Sequence, residues 1–415
     1  MTEPDPGAPT APPSAAADPD RLAPADLFAA VASSILSSLA VFLVAALALQ
    51  IGDSLDFGAA SLGFLVSLYY LSAALTSIPL SRLVEAIGSL RAMRWGCALM
   101  GMLLILAGAA PNFPCLLIVI ALAGAVSAGV QPATNLFIVR RIPSAHQGFA
   151  LGIKQAAVPI AVLIAGLSVP AIALTIGWRW GFIIAAVIAF ATSMALPPSR
   201  SSLAEYRAHP PTVKQLGRSG VNSLVLLAVG FGLGVAAASA LSAFAVTAVV
   251  AANLGHGTAG LVAGLGGCCA AVVRVGIGIH ADRSRSPHLV VVASMLGLGA
   301  IAYLMLAAST LTVPALLIPG IMLAFGAGWG WNGLFNLAVV RRYPTQAARA
   351  TGITSVGARA GGVIGPAVFG VVVTHGSYTW AWLIAAASAM LGASIILFGR
   401  RMLDSDPALA SQQQG

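Results

Sequence analysis

From residue 27 to residue 399 the chain is a succession of apolar runs, each about as long as a lipid bilayer is thick. A membrane-spanning helix needs about 20 such residues. The runs lie near 27–50, 59–81, 92–110, 113–139, 148–174, 178–197, 221–250, 257–280, 289–308, 312–340, 350–374 and 378–399, twelve in all. Charged residues make up 8% of the chain and hydrophobic ones 59%, with a mean hydropathy of +0.94. A soluble domain carries about 25% charged residues. The expected fold is therefore an all-α membrane protein of twelve transmembrane helices.

The net charge of +9 could suggest a nucleic-acid partner. Its distribution argues against one. The cations sit in alternate short loops: Arg82, Arg91 and Arg94; Arg140 and Arg141; Arg200, Arg207, Lys214 and Arg218; Arg283 and Arg285; Arg341, Arg342 and Arg349; then Arg400 and Arg401. The opposite loops hold Asp53, Asp56, His256, His375 and, as their one cation, Arg179. The positive-inside rule places both termini in the cytoplasm and makes the bilayer, not nucleic acid, the large partner. Residues 1–26, rich in Pro and Ala, read as a disordered cytoplasmic tail, and 400–415 as a second tail. No basic stretch precedes a short apolar run with a cleavage site, so no signal peptide is expected.

The two halves repeat. NLFIVRRIP (135–143) matches NLAVVRRYP (336–344), and Gln131 pairs with Asn332 at the same offset. After one deletion Gly152/Gly352, Trp180/Trp380 and Ile184/Ile384 follow. The chain thus divides into six-helix bundles 27–197 and 221–399, related by a pseudo-twofold, with a cytoplasmic linker at 198–220. Such a repeat puts substrate between the halves and lets their rocking alternate access.

GIGIHADRSR (276–285) resembles the Gly-x-x-x-Asp-Arg loop signature of the major facilitator superfamily, filled here by Gly278, Asp282 and Arg283. SRLVEAIGSLR (81–91) holds the same place in degenerate form, with Glu85 for the aspartate and Gly88 and Arg91 kept. GVIGPAVFG (362–370) is similar to that family's Gly-Pro packing motif. The resemblance covers the whole apolar chain. It implies the major facilitator fold, a secondary or facilitative transporter in the plasma membrane, a monomer, and gating roles for Glu85, Arg91, Gly278, Asp282 and Arg283. Drug/proton antiporters of this superfamily carry an arginine in the fourth helix; VIALAGAVSAGVQP (119–132) has none.

Three cations lie inside apolar runs: Lys154, Arg274 and Arg359. At about 1.5 Å per residue, Lys154 is roughly 9 Å past the start of the fifth run and Arg359 roughly 13 Å into the eleventh. Arg274 precedes Asp282 by roughly 12 Å. No Asp or Glu lies well inside any run. A charge at such depth costs roughly 2.5–3.5 kcal/mol on insertion scales, so it needs a partner. An anionic small-molecule substrate supplies one, and arginine's planar fork suits a carboxylate or oxyanion. Arg274 with Arg359 resembles, by position, the oxalate:formate antiporter group and related monocarboxylate and nitrate carriers; Lys154 departs from that pattern. Gln131 and Asn135, Asn332 and Asn336, and Gln155 would complete the substrate site. Bland readings stand beside these: Lys154 snorkelling along its stem, Arg274 bracing the gate, the amides bonding between helices.

Other chemistry has no motif. Cys97, Cys115, Cys268 and Cys269 form no ligand set, the histidines do not cluster, and no phosphate-binding loop is present. No cofactor, metal or catalytic residue is expected, and no enzyme. The sequence leaves two alternatives to an anion carrier: an exporter of a drug or natural product, and a non-transporting membrane sensor.

Overall fold

The computed structural model describes residues 24–196, 218–283, 288–343 and 346–404. Residues 198–217 of the expected linker, most of both tails and the side chain of Asp282 lie outside the described residues; residues 218–220 already belong to the seventh helix. Twelve helices are long and apolar enough to cross a membrane among the described residues. They are α1 (Pro24–Ala46), α2 (Ala59–Ile87), α3 (Ser89–Gly108), α4 (Phe113–Arg141), α5 (Ser144–Ser168), α6 (Trp178–Ala195), α7 (Arg218–Ala251), α8 (His256–Arg283), α9 (His288–Ser309), α10 (Pro314–Arg342), α11 (Ala347–His375) and α12 (Tyr378–Asp404). The connections are tight. Gly88, at φ +88°, alone joins α2 to α3, and Gly177 at φ +101° leads into α6; a left-handed backbone there needs glycine. Asn112 caps α4, its side chain accepting from the Cys115 amide at 3.0 Å.

Three helices differ from the continuous spans expected. The first, expected over 27–50, breaks at Leu47 and continues as a short helix, Ala48–Leu55. The fifth ends in a π-helical turn, Val169–Ala173. The tenth is composite: a 3-10 turn at Pro314–Leu316, an α-helix at Leu317–Leu323, a π-helical turn at Ala324–Gly328, and an α-helix at Asn332–Arg342. The run FGAGWGWNG (325–333) explains the interruption, because glycine is a poor residue for holding a helix interior.

The packing obeys the repeat. In the first half α2 packs on α4, α3 on α6 and α1 on α5; in the second, α8 on α10, α9 on α12 and α7 on α11. Two main contacts join the halves, α2 with α11 and α5 with α8, and the pseudo-twofold exchanges them; α1 also touches α7. Outward faces carry large apolar side chains such as Leu75, Ile78 and Val187, a belt that a bilayer covers and water does not. Trp180 and Trp380, mates in the repeat, are exposed at one end of it, as interfacial tryptophans are.

The core is Y-shaped. One buried cluster spans both halves, from Leu39 and Val44 through Ala165 to Phe244 and Phe369. The other two belong to one half each, around Met93 and Phe137 in the first and around Trp331 and Phe335 in the second. The shared cluster lies toward the α1–α2 and α7–α8 turns. The split clusters lie toward the end carrying Arg91, Arg140, Arg283 and Arg341. We call these the sealed end and the basic end.

Glycine makes the seal. A Cβ on Gly63 would lie 2.2 Å from the Pro366 carbonyl oxygen, and one on Gly370 would lie 2.6 Å from that of Ala59. On the other contact, Gly166 and Gly260 meet backbone to backbone, and Gly267 abuts the Pro159 carbonyl. Small residues let membrane helices approach this closely. At the basic end a Cβ on Gly152, Gly276, Gly278 or Gly352 would meet nothing within 4 Å. The halves touch at one end and part at the other.

Candidate functional site

The site lies where the halves part. In the first half, Lys154 on α5 is buried and donates from Nζ to Gln131 Oε1 on α4 at 2.5 Å. Gln131 Nε2 donates to Ser37 Oγ on α1 at 3.0 Å, and Ser37 Oγ donates to its own helix at the Ser34 carbonyl. Tyr69 on α2 donates its hydroxyl to the Ser37 carbonyl at 2.9 Å. Four helices therefore hold one lysine. Its stem does not snorkel: Lys154 is 4% exposed.

In the second half the broken helix α10 supplies carbonyls that accept from side chains. The Gly328 carbonyl accepts from Trp331 Nε1 at 2.7 Å. The Trp329 carbonyl accepts from Asn332 Nδ2 and from Arg274 Nη2, both at 3.2 Å. The Arg274 guanidinium also lies 5.1 Å from the centre of the Trp329 ring, within cation–π range. Asn336 donates to the Asn332 carbonyl at 3.3 Å.

Both arginines reach across to the other half. Arg274 Nη1 donates to the Gln155 carbonyl on α5 at 3.0 Å, next to Lys154. Arg359 Nη1 donates to the Ala73 carbonyl on α2 at 3.1 Å. Between described residues, these are the cross-half hydrogen bonds nearest the basic end. Two others lie at the sealed end, Gln50 to His256 at 3.2 Å and the Ala60 amide to Thr374 at 3.0 Å. Above the arginines Phe42 and Trp329 meet edge to face across the halves at 6.0 Å. Both rings are buried.

The electrostatics are one-sided. The ion pair among the described residues is Arg141 with Asp26, 3.9 Å apart at the basic end. Lys154, Arg274 and Arg359 are met there by an amide and by backbone carbonyls, all neutral. Arg274 Nε is buried with no hydrogen-bond partner. An isolated buried cation is costly unless an acceptor completes it.

The residues singled out in the sequence fall into three groups. Lys154, Gln131, Arg274 and Asn332 sit in two linked networks, and Arg359 sits opposite on α11. Gln155 contributes its carbonyl, and Asn336 bonds within its own helix. Asn135 is exposed one turn below Gln131. Glu85, Arg91 and Arg283 are exposed around the parted basic end, with Gly278 nearby. Ser37 Oγ and the Trp329 main-chain carbonyl join these groups as specific acceptors. The serine run SSILSS (33–38) and the run FGAGWGWNG (325–333) were their visible signals.

Twelve membrane-length helices in two repeated halves, with a polar site between the halves, define a multi-pass solute carrier. Residues 28–353 and 232–414 match the sequence pattern of the Major Facilitator Superfamily, and the chain belongs to that family. No curated protein matches it by sequence. Two solved structures show the same fold, those of a bacterial homologue of the human lysosomal transporter Spinster. In the inward-facing, occupied conformation the TM-score is 0.70 at 15% identity, covering 91% of this chain and 96% of that one. In the inward-facing, unoccupied conformation it is 0.69 at 16% identity, covering 91% and 95%.

Proposed function

We propose that this transporter moves a small anion across the plasma membrane by alternating access, as a monomer with its basic end and both termini in the cytoplasm. The observation that carries the reading is the charge balance between the halves. Three cations gather where the halves part, and the described residues there offer them no carboxylate. An organic or inorganic anion entering from the basic end replaces neutral carbonyls with charged acceptors. Hydrogen bonds to charged groups are worth about 1.5–3 kcal/mol. Gln131, Asn135, Gln155, Asn332 and Asn336 orient the anion. The likeness to inward-facing structures of the Spinster homologue supports reading the parted basic end as the cytoplasmic opening. In the opposite form Glu85, Arg91, Gly278, Asp282 and Arg283 close that end.

A thermal-stability screen of the purified protein against small anions tests this. A ligand present at 100 times its Kd adds about 2.7 kcal/mol. The expected result is a raised melting temperature with one anion, lost in Arg274→Ala and Arg359→Ala. Normal transport by a folded Arg359→Ala variant would sink the reading. The buried Phe42–Trp329 contact favours a second reading, export of a larger amphipathic compound such as a drug or natural product. That reading expects shifts with bulky amphipathic ligands and tolerance of charge neutralisation.

A further inference from the structure

We propose that Lys154 takes up one proton for each anion bound, so that anion movement is coupled to a proton gradient. This rests on the anion reading above.

The interior offers few groups able to carry a proton. Asp26, Asp53, Asp56 and Glu85 stand at helix ends, and Asp282 is near the basic end of α8. Guanidinium groups in proteins do not release a proton, whereas a lysine amine does. Lys154 is the lysine of this interior.

Its partner can serve both protonation states. When protonated, the ammonium donates to Gln131 Oε1, while Gln131 Nε2 donates to Ser37 Oγ. An ammonium has three N–H donors, and Gln131 takes one; a bound anion can take another. Without its proton the amine carries a lone pair and becomes an acceptor. Turning the Gln131 amide over then points Nε2–H at the amine and Oε1 at Ser37. The Ser37 hydroxyl swings from the Ser34 carbonyl to donate to Oε1. Every heavy atom keeps its place. In either state Gln131 keeps both of these hydrogen bonds, one to the lysine and one to Ser37; leaving a buried amide unpaired would cost about 1–3 kcal/mol.

The neighbouring charges link the proton to the anion. From α8, Arg274 holds the carbonyl next to Lys154. Nearer the basic end α8 adds His280 and Arg283, and α4 adds Arg140 and Arg141. The faces of α1 and α4 at the level of Lys154 present neutral Ser34, Ser37, Gln131 and Thr134, with Asp26 at the far end of α1. A protonated Lys154 beside Arg274 is two like charges, and an anion between them removes the repulsion. Each ligand therefore strengthens the other's binding, as linkage requires. Water has a short path: Asn135 and Gly152, within a turn of Gln131 and Lys154, are exposed. The step balances. A hydronium ion at the open end gives its proton to the amine lone pair, and the ammonium returns it to water after the halves have rocked.

The test measures proton uptake in weakly buffered detergent solution with a pH dye, as each of oxalate, lactate, nitrate and inorganic phosphate is added. Melting shifts report binding separately. The expected result is that one of these anions binds and draws up to one proton per bound anion. In reconstituted vesicles its accumulation should grow about tenfold for each unit of pH gradient, the ratio that one coupled proton supports. Lys154→Arg should take up no proton per bound anion, whatever its affinity; Lys154→Gln serves if the arginine variant does not fold. Binding without proton uptake, or uptake that survives either variant, overturns the coupling and leaves the anion reading standing. Binding of none of the four anions removes the anion reading, and this proposal with it.

Discussion

The two ends of this molecule are built from the same helices by opposite means. At the sealed end, α2 meets α11 and α5 meets α8 through glycines that touch backbone directly. The charged groups there are sparse, and one buried cluster runs through both halves. At the basic end the corresponding glycines face open space, arginines ring the rim, and each half keeps its own core. Gly152 and Gly352 are mates in the repeat, and both are open. The bare glycines of the basic end look like the seal of the other state, waiting unused. Closure there must bring helices together against like charge. At the sealed end that cost is absent.

The sharpest way to break this comparison is to fill the seal. Gly63→Leu puts a side chain where even a Cβ would sit 2.2 Å from an oxygen. Overpacking costs typically about 1–3 kcal/mol, enough to shift a two-state balance by roughly 5- to 150-fold. Transport should be nearly abolished. Hydrogen exchange at the sealed-end amides of α2 and α11 should quicken, and unchanged exchange would mean that the seal does not depend on close backbone approach.

Next in size is Arg359→Ala, which removes a cross-half hydrogen bond and a candidate ligand together. A hydrogen bond to a charged group is worth about 1.5–3 kcal/mol, so anion affinity should fall roughly 10- to 100-fold. Arg359→Lys should recover part of it. Titration by melting temperature reads both.

Gln131→Leu comes third. It strips Lys154 of its Gln131 acceptor and should lower stability by about 1–3 kcal/mol, the cost of a stranded buried polar group. A denaturation series against the parent protein measures it. The smallest effect is expected from Gly152→Ala. Nothing occupies the space of the new methyl group, and Gly→Ala in a helix gains about 0.5–1 kcal/mol. The variant should be slightly more stable yet turn over more slowly, because the methyl obstructs closure of the basic end. Stability and turnover rising together would show that Gly152 is not part of a second seal.

Much of this was legible in the sequence. The twelve spans follow from run length, and the repeat shows in NLFIVRRIP and NLAVVRRYP. Lys154, Arg274 and Arg359 stand out because a charge in an apolar run has no local excuse. Their mates in the repeat are uncharged: Thr354 for Lys154, Pro159 for Arg359 and Ser77 for Arg274. The candidate site is thus where the repeat is broken, which a reader of one half alone would miss. The rest was hidden for physical reasons. A glycine in an apolar run does not say whether another backbone lies against it. The carbonyls that hold Arg274 and Arg359 are main-chain atoms, and no residue type announces them. The broken tenth helix left a trace in its glycines, but nothing in the sequence marks the Trp329 carbonyl, at the end of the π-helical turn, as a partner of Arg274.

The Y-shaped core also makes the molecule a lever. Its fulcrum is the glycine seal, and its arms are helices such as α2, 29 residues and about 43 Å long. A hinge near one end magnifies motion at the other. Ten degrees of rocking there sweeps the far tip through roughly 7 Å over such a length. A fraction of an ångström of slack between Gly63 and Pro366 is thus leveraged into several ångströms of travel at the arginine rim. Small parts at the fulcrum set the reach of large ones at the tips.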